Sequence, residues 1–419
     1  MKELYRFLAT HRRLTRRFFL GLGAAGSAAV ASWPLIGRGE PAGPELAKAI
    51  AALESFFTSQ ADFRDVSRGK PLPHSLPDEK KREVGLTRES WKLEVVSDPD
   101  NPAKLGRELT KADGTALDFA GLLELGEKHA VRFAKVMTCL NIGCPLGMGI
   151  WEGVPLREIV WLTKPREDVR RVFYYGYHND DAKQLFQSSL PLGRVLEDFY
   201  DLPPVILCYK LNGQWLDSPR GGPVRVVVPE GYGFKSIKWL SHVVLTNLSH
   251  ANDTYANGNN DVDSPLKSFA ATLSAPTEFT VGQPMPITGH AQVGISGLSK
   301  VQVWITPSDQ EWPADDKNFL TAPWLDAQIL GPPPRWGGNL PDDEIPSDTL
   351  GFDASGRPRT WPMRLAKAHW AILLPGLAAG EYTLRSRTID EKGIPQPMPR
   401  PFRKSGHSAI ESISIRIKD

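Results

Sequence analysis

Short runs that alternate apolar and polar residues, each cut off by Pro, Gly or Asn, recur from Trp91 to the C-terminus. No other feature limits the possible folds of this chain as much. An alternation of period two puts every second side chain on one face, the pattern of a half-buried strand. Trp91-Lys-Leu-Glu-Val-Val, Val131-Arg-Phe-Ala-Lys-Val-Met-Thr, Val172-Phe-Tyr-Tyr-Gly-Tyr and Val205-Ile-Leu-Cys-Tyr-Lys are such runs, the last closing on an Asn212-Gly213 turn. Val224–Val228 is apolar almost throughout, which predicts a strand covered on both faces. Leu117–Gly126, Val154–Leu162 and Leu192–Phe199 read as short helices between them. The middle of the chain is therefore predicted to be α+β.

A polar stretch, Ser249–Ser264, separates this part from a tail of closely spaced strands. They are Glu278-Phe-Thr-Val, Met285-Pro-Ile-Thr-Gly, Lys300-Val-Gln-Val-Trp-Ile, Glu381-Tyr-Thr-Leu-Arg-Ser-Arg and Ile410–Ile417. Short strands with little helix predict a β-sandwich. A Pro/Gly/Asp-rich insertion at about 331–360 interrupts it and reads as a long loop. Upstream, Leu46, Ile50, Leu53 and Phe57 recur at helical spacing and predict a helix over 44–58, followed by a polar, Pro-rich arm over 60–85.

The chain has 419 residues, enough for two folded cores. Lys+Arg total 50 and Asp+Glu 48, a balance that excludes a general nucleic-acid binder, which needs a basic excess. The first residues are an address. Lys2, Arg6, Arg12 and Arg13 precede Thr15-Arg16-Arg17-Phe18-Phe19-Leu20, then a small, apolar run to Ala31. That run is too short to span a bilayer, and the paired arginines resemble a twin-arginine export signal. The domain limits read from the sequence are 1–31 for the signal, 32–85 for the helix and arm, 86–265 for the central domain and 266–419 for the β tail.

Three pieces of the central domain carry chemistry. Cys139 ends an apolar strand, so a rigid element can present its soft thiolate to a redox metal. Only Cys144 and Cys208 accompany it, too few for a disulfide framework. Gly221-Gly222-Pro-Val-Arg225 and Gly231-Tyr-Gly-Phe-Lys235-Ser236-Ile237-Lys238-Trp239 combine glycines, basic side chains and a hydroxyl, which suits an anionic cofactor tail. The order is not that of a nucleotide P-loop. Tyr209 ends a strand just upstream.

Cys139, Trp151-Glu-Gly-Val-Pro-Leu156, Ser189-Leu-Pro-Leu192, Tyr209-Lys-Leu-Asn-Gly213, Gly222-Pro-Val-Arg225 and Gly233-Phe-Lys-Ser-Ile-Lys-Trp239 follow one another in the order seen in the sulfite oxidase and assimilatory nitrate reductase family. This resemblance covers about 86–265. The tail, through Gly289-His-Ala-Gln-Val-Gly294 and Val301-Gln-Val-Trp304, resembles that family's immunoglobulin-like dimerisation domain, so a homodimer through it is expected. The resemblance implies a Mo-molybdopterin cofactor, with Cys139 as the metal ligand and a catalytic residue. It implies Arg225, Ser236, Ile237 and Lys238 at pterin- or phosphate-contacting positions, and Tyr209 as the active-site tyrosine. Lys235 and Arg220 join the candidate cofactor contacts, Arg220 standing where many members have a histidine. Sulfite oxidases follow their cysteine with Asn-Arg, whereas Cys139 is followed by Leu140-Asn141. An anion-binding cation is then sought in Arg64, Arg68, Lys135 or His178.

The expected activity is oxygen-atom transfer to or from a small, anionic substrate, as in a sulfite-oxidase-like dehydrogenase. The alternatives are a sulfoxide-type reductase and a cofactor-free binding protein on the same fold. No haem attachment motif is present, so electrons are expected to pass to a separate carrier such as a cytochrome c, in the periplasm if the signal is used.

Overall fold

The computed structural model describes residues 43–141, 145–256, 258, 260–275, 277–397, 404, 406 and 409–419. Residues 1–31, where an export signal is expected, and Cys144 lie outside the described residues. Helix α1 (Pro44–Ala51) is shorter than the periodicity predicts. The chain leaves it because Glu54 and the Ser55 carbonyl are taken up by the Lys367 ammonium, 2.5 and 3.2 Å away on the C-terminal sheet. A tertiary contact thus overrides local helical spacing. Past α2 (Asp78–Glu83), strand β1 (Lys92–Ser97) enters the central domain.

Two sheets build that domain. The first contains β1, β2 (Leu117–Asp118), β5 (Arg171–Gly176), β6 (Gln187–Pro191) and β10 (Leu240–Thr246), in the order β2-β1-β10-β5-β6. β1 runs parallel to β10, and the other pairings are antiparallel. The second sheet is built on β3 (Val131–Thr138), β4 (Pro145–Pro155), β7 (Ile206–Leu211), β8 (Gln214–Trp215) and β9 (Arg225–Val227). Helix α3 (Phe119–His129) starts where the Asp118 carboxylate accepts the Gly121 N–H at 2.8 Å, a helix N-cap. Helices α4 (Leu156–Trp161) and α5 (Leu192–Leu196) complete the domain. Trp91, Leu93, Leu122 and Val154 bury their side chains together in its core.

The tail holds β11 (Phe269–Ser274), β12 (Glu278–Thr280), β13 (Met285–Gln292), β14 (Lys300–Pro307), β15 (Leu325–Ile329), β17 (Lys367–Leu374), β18 (Gly380–Ile389) and β19 (Glu411–Lys418). The predicted pair of separate sheets is corrected here. β15 pairs with both β14 and β17, so the eight strands form one hydrogen-bonded path that curls around Ile287, Val303 and Trp370. The longest α-helix among the described residues has 11 residues, so the molecule is mostly β rather than an even α+β mixture.

The 331–360 insertion is not a free loop. Its strand β16 (Thr349–Leu350) adds to the edge of β3 in parallel, Thr349 opposite Arg132. Leu340 and Phe352 are buried with Phe56 and Phe57 of the N-terminal segment.

Candidate active site

Strand β3 delivers Thr138 and then Cys139 to one end of the second sheet. Thr138 is fully buried, and its hydroxyl donates to Gln292 of β13. Cys139, partly exposed, faces a cavity of about 290 Å³. The same cavity is lined by Arg220, Arg225, Ser236, Ile237 and Lys238, so six of the eight site residues picked out in the sequence meet there.

This wall gathers basic side chains that are largely cut off from water. Arg225 is 4% exposed, and its Nη1 and Nη2 donate to the carbonyls of Arg220 and Ser236 at 2.7 and 2.5 Å. Arg220 is 6% exposed and donates to the Phe63 carbonyl at 2.8 Å. The Nε of each is buried with no partner among the described residues. Burial, with Arg225 close by, brings the Lys238 ammonium down to about 7, against the opposing pull of Asp65. Burial likewise lowers Arg225 to about 10. Orphan donors on buried cations cost free energy unless an anion meets them. The glycines make the cradle possible. Gly221 has φ +101°, and a Cβ there would sit 2.8 Å from the Lys238 Cβ.

Two picked residues belong elsewhere. Tyr209 does not line the cavity. Along β7, Cys208 packs with Met137 and Phe63 on the cavity side, so the strand's alternation sends Tyr209 to the opposite face. There its ring meets Trp215 at 6.1 Å, and its hydroxyl abuts Gly126 of α3. Burial raises its phenol to about 12. Lys235 is 4% exposed and turns away from the cavity, donating to Asp253 and the Ser189 carbonyl, both at 2.7 Å. Lys135 is also excluded: its ammonium, lowered to about 7 by burial, rests on the carbonyls of Val136 and Gly231.

The N-terminal arm forms the facing wall. Arg64 and Arg68 line the cavity, as does His178. Arg68 lies over the Phe186 ring at 4.7 Å and donates to the hydroxyl of Tyr255 at 2.6 Å. Asn141, two residues past Cys139, donates to the same hydroxyl at 2.6 Å. Tyr255 is the site residue that sequence reading missed. It sits in the polar Ser249–Ser264 stretch, where the one available signal is a tyrosine among Asn, Asp and Gly.

Residues 86–254 match the model of the oxidoreductase molybdopterin binding domain. The mitochondrial sulfite oxidase of Drosophila melanogaster is 30% identical over 195 residues, 46% of this chain and 31% of that protein. A nitrate reductase [NADPH] of Beauveria bassiana is 27% identical over 120 residues, 29% of this chain and 13% of that protein. The matches therefore cover less than a third of these curated relatives. The crystal structure of the sulfane dehydrogenase SoxCD from Paracoccus pantotrophus superposes with a TM-score of 0.56 at 16% identity, covering 93% of this chain and 92% of that one, and so shares the fold. The orphan Arg220 and Arg225 donors and the Cys139 side chain beside them fit an anionic, thiolate-ligated cofactor. Residues 86–254 are thus a molybdopterin binding domain of the oxidoreductase kind, similar in sequence to those of sulfite oxidases and nitrate reductases.

Proposed function

We propose that this protein moves an oxygen atom to or from a small, anionic substrate, in the manner of a sulfite-oxidase-like dehydrogenase. One observation carries the reading: Cys139, the orphan cationic donors and the Arg68–Tyr255–Asn141 cluster share one cavity. When bound, Mo-molybdopterin supplies the oxygen-transfer and electron chemistry. Cys139 would hold the metal, and Arg220, Arg225, Ser236 and Lys238 the pterin and its phosphate.

The remaining residues handle substrate. Arg68 offers a fixed guanidinium to an anion. Arg68 Nη2 and Asn141 Nδ2 both donate to the Tyr255 oxygen, so the phenol proton points in a third direction. That proton is free to serve the oxygen in transfer. Sulfite oxidases and a sulfane dehydrogenase are among the similar proteins. A small sulfur compound, oxidised with its electrons passing on to a separate carrier, is the substrate class we infer.

Asn141, in place of the arginine that sulfite oxidases carry, favours a second reading, reduction of a neutral sulfoxide. Steady-state assays of molybdenum-replete protein over sulfur oxyanions and sulfoxides, with an artificial electron carrier, separate the two. Arg68→Ala is expected to raise KM for the active anion about tenfold, the cost of one charge-assisted contact. Turnover confined to neutral sulfoxides would replace the first reading with the second.

The paired arginines support a further proposal, export of the folded, loaded protein to the periplasm. Arg16→Lys with Arg17→Lys should then keep it in the cytoplasmic fraction. Unchanged export would point to the general secretory route.

A further inference from the structure

Tyr255 has no strand or helix beneath it, yet its hydroxyl meets two donors at 2.6 Å. Something must fix its backbone. The answer lies two residues back. The Asp253 side chain is completely buried and accepts from Ser188 Oγ at 2.9 Å, from Ser189 Oγ and from Lys235 Nζ at 2.7 Å. Lys235 also donates to the Ser189 carbonyl, and its own carbonyl accepts the Tyr174 hydroxyl at 2.9 Å. Around this pin Gln187 holds the neighbouring backbone, its N–H donating to Thr254 Oγ1 at 3.0 Å and its carbonyl accepting the Thr254 N–H at 3.1 Å. Phe186, just before β6, and Phe234, just before Lys235, place their rings 5.2 and 5.3 Å from that of Tyr255.

One buried ion pair therefore ties three things together: the Tyr255 loop, strand β6 and the segment that continues into Ser236, Ile237 and Lys238. A surface lysine could not do this, because water would screen it and its side chain would wander. A buried pair whose remaining oxygens are also hydrogen-bonded fixes geometry, whatever its net contribution to stability.

We propose that Asp253 and Lys235 are positioning residues that set the Tyr255 hydroxyl over the cavity, coupling its place to that of the cofactor cradle. This rests on the reading of Tyr255 as the group that serves the oxygen in transfer. A position error of an ångström at such a group is enough to cost much of its effect.

A double-mutant cycle with Tyr255→Phe tests the proposal. Asp253→Asn, normalised to molybdenum content, should lower kcat about tenfold with little change in KM, and less than about twofold when Tyr255 is already Phe, because residues acting as one unit are not additive. Nitration of Tyr255 in cofactor-free protein, read by peptide mass spectrometry, should rise in Asp253→Asn. If Asp253→Asn does not fold, Asp253→Asn with Lys235→Gln, an uncharged pair, takes its place in the cycle. An equal loss of kcat in both backgrounds, with unchanged nitration, would overturn the positioning role. A Tyr255→Phe enzyme with wild-type kcat would instead remove the reading beneath it.

Discussion

Replacing Cys139 with serine leaves a folded protein that no longer turns over, with kcat lowered by at least about a thousandfold. The reason is the chemistry of the ligand. A thiolate is soft and anionic, whereas a serine hydroxyl is hard and protonated at neutral pH, a poor partner for a redox metal. The fold should tolerate the change. Cys139 is only partly buried, and one atom changes at a cavity wall. Circular dichroism and a melting curve check the fold, elemental analysis the molybdenum, and a dye-linked assay the turnover. Cys208→Ser is the control. Cys208 is fully buried behind the cavity wall and does not line it, its thiol raised to about 12 by burial and donating to the Lys210 carbonyl at 3.2 Å. That variant should keep its kcat. Full activity in Cys139→Ser would move the metal ligand to another residue.

Tyr255→Phe is the second large effect. It removes one hydroxyl and leaves Arg68 and Asn141 without their acceptor. A donor aimed at charge developing in a transition state is worth about a hundredfold in kcat, and KM should move much less. Tyr209→Phe provides the contrast. Its hydroxyl faces α3 across the sheet from the cavity, so kcat should stay within about twofold. Steady-state kinetics on the two variants side by side decides between the tyrosines. A large loss in Tyr209→Phe alone would restore Tyr209 to the site.

The contrast also marks what the sequence carried. Cys139, Arg225 and Lys238 were legible because they sit beside strand ends and glycines, where local pattern and chemistry coincide. Tyr209 entered through the family resemblance, although the alternation along Val205–Lys210 already separates its face from that of Cys208. Lys235 stands among true cavity residues in sequence, but a short 3₁₀ turn at Gly233–Lys235 points it back towards Asp253. That partner is 18 residues away in a stretch without periodicity, and no local signal announces it. The same holds for Tyr255, whose donors come from the arm and from the residue pair after Cys139. The Pro/Gly/Asp texture of 331–360 gave a loop and hid two residues that complete a sheet.

Strand β16 and the Thr138–Gln292 hydrogen bond have a thermodynamic consequence. The backbone that presents Cys139 is flanked on one side by a strand donated from the tail and capped at its end by a glutamine of the curled sheet. The Gln292 amide is itself tied to the Lys267 carbonyl at 2.7 Å. Melting of the tail is expected to take away two supports of the strand that presents Cys139. Loss of the tail would slacken β3, and loss of cofactor would remove the anion that reconciles the buried cations. Heating should therefore give one cooperative transition for the two sequence-defined domains, rather than two, and its midpoint should climb with cofactor occupancy as any ligand-linked equilibrium does.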